Sequence, residues 1–200
     1  MTTVKKRSRN LIIIAVLVLI LAALGGGLAV RYRHHQSAKP EQHSSTITAT
    51  QFIKQVASAA QQEQKKYHIP ASITIAQAGL ESEWGRSKLA AKYNNLFGIK
   101  ANSKNNRVRM YTTENVNGKD IKVKQYFQTY DGWAASIKAH TLLIVNGTAD
   151  NHDRFKAVTT AKNYRQAAQA LQQGGYATDP GYASKLIYAI RKFNLSQYDQ

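Results

Sequence analysis

Leu11 to Val30, LIIIAVLVLILAALGGGLAV, is a run of twenty residues without a charge. As a helix rising 1.5 Å per residue it spans about 30 Å, the hydrocarbon thickness of a bilayer. No other feature restricts the chain so strongly. A helix apolar on all sides, directly behind a basic leader, makes a poor element of a soluble core. Residues 1–10 carry Lys5, Lys6, Arg7 and Arg9, which sets the leader on the cytoplasmic side and the rest outside. The expectation is one transmembrane anchor at 11–30. A cleaved signal peptide stays open beside it, with Gly27-Leu28-Ala29 as a small-residue cleavage site. On the first reading the protein is single-pass in the cell membrane; on the second it is secreted.

Residues 31–47, RYRHHQSAKPEQHSSTI, are polar and aperiodic and read as a flexible tether. No helix or hairpin fixes His34, His35 and His43, so they are expected to be solvated rather than to hold a metal. Residues 48–200 then form one domain of about 150 residues, long enough for a real core. Seven of the 28 basic residues and none of the 11 acidic ones lie in the first forty positions, which leaves the rest a basic surplus of ten. A basic domain attracts polyanions. Zinc-finger spacing and RNA-binding signatures are lacking, so anionic cell-wall polymers are expected rather than nucleic acid. Without cysteine there is no disulfide and no thiolate metal site.

Within the domain the informative stretch is Ile69–Gly85, IPASITIAQAGLESEWG. Pro70 suits a first helical turn, Ile73, Ala76, Leu80 and Trp84 recur at helical spacing, and Gly85 supplies a left-handed stop. The spacing predicts an amphipathic helix of about four turns, with Glu81 sharing a face with Gln77 and Trp84. A carboxyl beside an indole at the end of a buried helix is desolvated; its neutral form is favoured and it can deliver a proton near neutral pH. The alternative is that Glu81 and Glu83 are solvated and Trp84 merely closes the core.

Around this stretch the pattern is mostly helical. Thr50 is the expected cap of a helix to Tyr67, Ser87 of a short one to Ala91, and Asp131 of one from Gly132 to about Val145. Helices are also expected over Asn163–Gln173, stopped by Gly174-Gly175, and after Asp179-Pro180, with Leu186, Ile187, Ile190 and Phe193 buried. His140, alone on its helix, reads as structural. Arg107–Phe127 contains Asn117-Gly118, a two-residue hairpin turn signal. That turn pairs Val116 with Lys119, Glu114 with Ile121, Thr112 with Val123 and Met110 with Gln125. Alternation then gathers Val108, Met110, Thr112, Glu114, Val116, Ile121, Val123 and Phe127 on one face, with Arg107, Arg109, Lys122 and Lys124 on the other. Glu114 is the one carboxylate on a largely apolar face, and burial of an unpaired charge needs a reason.

AQAGLESEWGRSKLA, NNLFGIKA, TTENVNGK, FQTYDGWAASIKAH and GGYATDPGYASKL, in this order, resemble the glucosaminidase family of bacterial cell-wall hydrolases, glycoside hydrolase family 73, from about Thr48 to about Leu195. Glu83 departs from the family pattern, where many members carry Gly. The resemblance implies an α+β, mainly helical, lysozyme-like fold with a small hairpin lobe, mobile in the family. It also implies hydrolysis of the β-1,4 bond after N-acetylglucosamine in peptidoglycan glycan strands, without metal or cofactor. Glu81 falls on the catalytic acid, Glu114 on the second acidic position and Tyr176 on a tyrosine close to the acid. Asn95 and Phe97 match loop positions bordering the cleft; Asp179 and Tyr182 belong to the Tyr176 motif, and Trp84 follows the acid as a substrate-binding candidate. From pattern alone, Asp179 also reads as a helix cap, and Phe97 and Tyr182 as packing residues. Two rival functions remain: a muramidase or lytic transglycosylase cutting the other linkage, and a non-catalytic wall-binding module tethered to the membrane.

Overall fold

The structure, a computed structural model, describes residues 40–44, 46–116 and 119–200, with the side chains of 114–120 excepted. The expected span at 11–30 and most of the tether lie outside the described residues. Among the described residues no helix is long and apolar enough to cross a membrane.

Among the described residues, seven helices and one hairpin form the body: α1 Ala49–Tyr67, α2 Ala71–Glu81, α3 Lys88–Tyr93, β1 Arg107–Val116, β2 Lys119–Gln128, α4 Trp133–Asn146, α5 Lys156–Thr159, α6 Tyr164–Gln173 and α7 Tyr182–Lys192, followed by a 3-10 turn at Leu195–Tyr198. The helix α2 is the axis of the packing. Every residue from Ala71 to Gly79 is buried, and α1, α4, α6, α7 and the final turn surround it. The expected amphipathic stripe is therefore replaced by burial all round, with neighbours partnering Ser72 and the amide nitrogen of Gln77. Asp199 accepts from the Ser72 N–H and hydroxyl at 2.8 Å each, which ties the chain end to the start of α2. Leu80, expected inside, is 36% exposed where the helix emerges.

Several boundaries move for local reasons. Thr48, not Thr50, caps α1, because Gln51 completes a capping box with it. Gly132 rather than Asp131 precedes α4 without a side-chain cap. Ser87 caps α3 as expected, and Asn163, read as the first helical residue, is the cap of α6. Leu186 and Ile190 are buried as expected, while Ile187 and Phe193 are only partly covered. The near end of the tether is packed rather than loose. His43 stacks on Trp133 with ring centroids 3.6 Å apart, and the Glu41 N–H donates to the Asp131 carbonyl at 2.9 Å.

The hairpin has the expected register, from Val116 opposite Lys119 to Arg107 opposite Gln128. Asn117-Gly118 itself lies outside the described residues. The strands form a two-stranded antiparallel sheet joined to the body at its base, where the Gln128 N–H donates to the Ile99 carbonyl and the Ala101 N–H to the Tyr126 carbonyl, each at 2.9 Å. Among the described side chains of the face read as apolar only Phe127 is buried; Val108, Met110, Thr112 and Val123 are half-buried and Ile121 is exposed. The hairpin is a projecting lobe, not a core layer.

Candidate active site

Where α2 ends decides the site. The helix stops at Glu81, three residues earlier than its periodicity suggests, and Glu83, Trp84 and Gly85 follow with φ of 55°, 57° and 81°. This left-handed run reverses the chain. The Trp84 N–H donates to the Gly79 carbonyl at 2.7 Å, and a Cβ on Gly79 would meet the Trp84 ring at 2.6 Å. Gly79 thus lets the indole lie on the helix. The indole also packs on Phe193 at 4.5 Å and edge-on to Phe52 at 6.0 Å. Trp84 therefore seals the turn and does not occupy the next turn of the same helix face, as the sequence suggested. The buried Ser82 hydroxyl pins the turn, donating to the Ala78 carbonyl at 2.5 Å and accepting from the Gly85 N–H at 2.8 Å.

Glu81 is left at the helix end, with its side chain open to water as a whole while protein crowds its carboxyl from behind. Desolvation raises its pKa, and a hydrogen bond from Tyr182 partly opposes the rise. The Tyr182 hydroxyl donates to Glu81 Oε1 at 2.9 Å and faces Gln77 Nε2 at 3.2 Å. One carboxyl oxygen is thus held by a neutral donor, and no cation pairs with the other among the described residues. Such a carboxyl holds a proton at higher pH than an ordinary glutamic acid. The direction matches the sequence expectation, and its cause is burial.

Behind Tyr182 lies Tyr176, 4% exposed, the rings stacked at 5.5 Å. Burial, and then the Glu81 charge, push the Tyr176 phenol well up; burial, Tyr176 and Glu81 do the same to Tyr182. Both are neutral hydroxyls at any physiological pH. The Tyr176 hydroxyl lies 3.0 Å from His140 Nε2. His140 is 1% exposed, stacks on Phe97 at 3.8 Å, and is held neutral by burial, its pKa lowered to about 3. Its Nδ1 has no partner among the described residues. A bare buried lone pair is less costly than a bare N–H, which favours the tautomer with Nε2–H donating to Tyr176. The Tyr176 proton is then free to point elsewhere.

The remaining candidates are engaged within the protein. Asn95 is 1% exposed and spends its whole amide within the protein: Nδ2 donates to the Ile99 and Gln128 carbonyls, and Oδ1 accepts from the Phe97 and Ile99 N–H groups. It braces the loop to the hairpin base. Phe97 is 4% exposed and stacks on His140, as its reading as a packing residue has it. Asp179 accepts from the Gly181 N–H at 2.8 Å and pairs with Lys185 at 2.5 Å; Lys185 and that N–H hold its carboxyl below the usual range. The cap position of α7 is Gly181, with no side-chain cap, so Asp179 closes the turn before the helix and does not cap it as the pattern suggested. Glu114 stands opposite Ile121 in β1, and its side chain lies outside the described residues. His140 and Gln77 are the residues the sequence undervalued. Gln77 was visible one turn before Glu81, whereas nothing in the sequence ties His140 to Tyr176. No group of three metal-ligating side chains occurs among the described residues. Two recesses, one along Gln64, His68, Tyr164 and Asp199 and one on the outside of α7 at Ile187 and Tyr188, are not lined by Glu81.

A mainly helical body, a paired-strand lobe and a desolvated glutamate at the end of a buried helix define a lysozyme-like fold of the glucosaminidase type. The family model for mannosyl-glycoprotein endo-beta-N-acetylglucosaminidase matches residues 57–195, and the chain belongs to that glucosaminidase family. It is 47% identical over 149 residues to the exo-glucosaminidase LytG of Bacillus subtilis, covering 74% of this chain and 53% of that one. It is 34% identical over 177 residues to the peptidoglycan hydrolase FlgJ of Escherichia coli K12, covering 82% and 55%. The chain thus spans about half the length of these curated relatives. The catalytic domain of the autolysin Auto from Listeria monocytogenes superposes with a TM-score of 0.72 at 38% identity, covering 78% of this chain and 90% of that one.

Proposed function

We propose that the protein is a membrane-anchored peptidoglycan hydrolase that cuts the β-1,4 bond after N-acetylglucosamine within glycan strands, acting in wall remodelling or cell separation. The observation that carries this reading is the Glu81 carboxyl, fixed at Oε1 by Tyr182 and biased toward its protonated form. Glycosidic cleavage needs such an acid: its proton goes to the leaving oxygen while positive charge develops at the anomeric carbon. Water then adds its hydroxyl to that carbon. Glu114 is the second carboxyl for this step, either as the base that activates the water, with inversion, or beside a participating 2-acetamido group, with retention. The anomeric form of the first product separates the two. Tyr176 and Tyr182 supply neutral hydroxyls beside the acid, suited to orienting the acetamido group. The basic leader and the charge-free Leu11–Val30 support an anchor with the domain on the wall side, and the basic surplus supports contact with anionic wall polymers.

The test is digestion of purified peptidoglycan by the full-length protein beside Glu81→Gln, with mass spectrometry of borohydride-reduced products. Reduced N-acetylglucosamine ends are expected, formed about 10²–10⁴-fold more slowly by the variant. Muramic-acid or anhydro-muramic ends would reassign the linkage. Equal rates in both proteins would remove Glu81 as the acid, and binding without cleavage would leave a wall-binding module. Release of single sugars rather than oligosaccharides would make the cut terminal, as the name of the Bacillus relative has it.

A further inference from the structure

The hairpin has two faces, and Glu114 belongs by register to only one of them. We propose that the opposite face docks a linear phosphodiester polymer of the cell wall, an inference that rests on the protein being a wall hydrolase. Arg107 lies over the Tyr126 ring at 3.9 Å and Arg109 at 5.5 Å, while Lys122 and Lys124 lie over Tyr111 at 5.2 and 4.8 Å. Both rings stand in solvent, Tyr111 58% and Tyr126 39% exposed. None of the four cations joins an ion pair among the described residues. The one acidic position on this face is Asp120, opposite Asn115 at the tip.

An aromatic partner differs from a carboxylate partner in one respect that matters here. A salt bridge would orient these side chains and cancel their charge; a ring orients them and leaves the charge free for an outside anion. By register Arg107 and Lys122 are six residues apart along the strands, so the four charges extend over about 20 Å. Spacing of this kind suits a chain with repeated anions better than one isolated anion. The guanidinium forks offer paired N–H donors to phosphate oxygens, and the exposed rings offer flat surface to the carbons between phosphates. Stem-peptide carboxylates belong to the glycan strand being cut, which the other face meets. Polymer docking on the outward face would hold the enzyme at the wall without occupying the cleft.

The experiment measures binding of the full-length protein to poly(glycerol phosphate) and to polyglutamate of equal charge number, at one ionic strength. The wild type is expected to bind the phosphate polymer at least tenfold more tightly. Arg107→Gln/Arg109→Gln/Lys122→Gln/Lys124→Gln should lose at least tenfold of that affinity and cut polymer-free peptidoglycan within twofold of wild type. A control with Lys54, Lys65, Lys88 and Lys138 changed to Gln removes the same charge from other exposed sites and should bind within twofold of wild type. Equal loss in the control would mean undirected charge and overturn the proposal. So would equal affinity for polyglutamate, or proportional loss of cleavage by the hairpin variant, which would put this face in the cleft. Should the fourfold variant lose its melting transition, Tyr111→Leu/Tyr126→Leu keeps every charge and is still expected to bind severalfold more weakly; unchanged binding would overturn the proposal. A wild type that binds the polymer but does not cut peptidoglycan would sink the hydrolase reading alone.

Discussion

At the residue scale, the site is a contest over one proton. Burial favours the neutral Glu81 carboxyl, and the Tyr182 hydroxyl favours its charged form; burial is the larger influence. Tyr182→Phe removes the opposing one, so the Glu81 pKa should rise further. A general acid works only while protonated, so the alkaline limb of kcat/KM against pH should move to higher pH in this variant. A limb that stays or moves down would show that Tyr182 does not act through Glu81. Glu81 was legible as the candidate acid from spacing and resemblance. Its true neighbour was not, because Tyr182 lies 101 positions away and is brought in by α7. Asn95 and Phe97 illustrate the converse: a motif can mark a residue without saying whether it faces the cleft or braces the wall behind it.

At the scale of the element, α2 and the turn after it act as one unit. A methyl on Gly79 would collide with the Trp84 ring, and overpacking of this kind costs about 1–3 kcal/mol. Gly79→Ala should therefore unfold at lower denaturant concentration. It should also lose kcat, since the turn it displaces begins at Glu81. Glu83 occupies φ 55°, where a side chain costs about 1–2 kcal/mol and Gly costs nothing in the fold. Glycine loses about 0.5–1 kcal/mol of unfolded-chain entropy in return. Glu83→Gly should then be neutral to about 1 kcal/mol stabilising by urea titration, and a clear destabilisation would reveal a favourable contact of the Glu83 carboxyl. This backbone also explains why glycine is common at that position in the family. Periodicity carried the helix past Glu81 because a helical wheel registers which residues are apolar and not where φ changes sign.

For the whole molecule, the buried imidazole of His140 couples stability to pH. Its folded pKa is about 3 against an ordinary 6.5, so below pH 6.5 the unfolded chain takes up a proton that the folded one refuses. That contribution is fully present above pH 6.5 and is lost toward pH 3, at up to about 1.4 kcal/mol per unit. Glu81 works the other way: raised in the fold, it favours the folded state at acid pH and less so as pH rises through its folded pKa. His140→Gln should flatten the fall in stability between pH 6.5 and 4, read from urea midpoints; an unchanged slope would acquit the imidazole. The sequence by itself determined the order of six of the seven helices, the short α5 excepted, the register of the hairpin and the place of Glu81 at the end of α2, because periodicity, caps and a two-residue turn act within a few positions. Tertiary structure alone decided that α2 is enclosed on every side, that Trp84 folds back over Gly79, and that Glu81, Tyr182, Tyr176 and His140 meet in succession. Those outcomes depend on contacts between distant segments, and the alternation of apolar and polar residues along one segment carries no record of its partners.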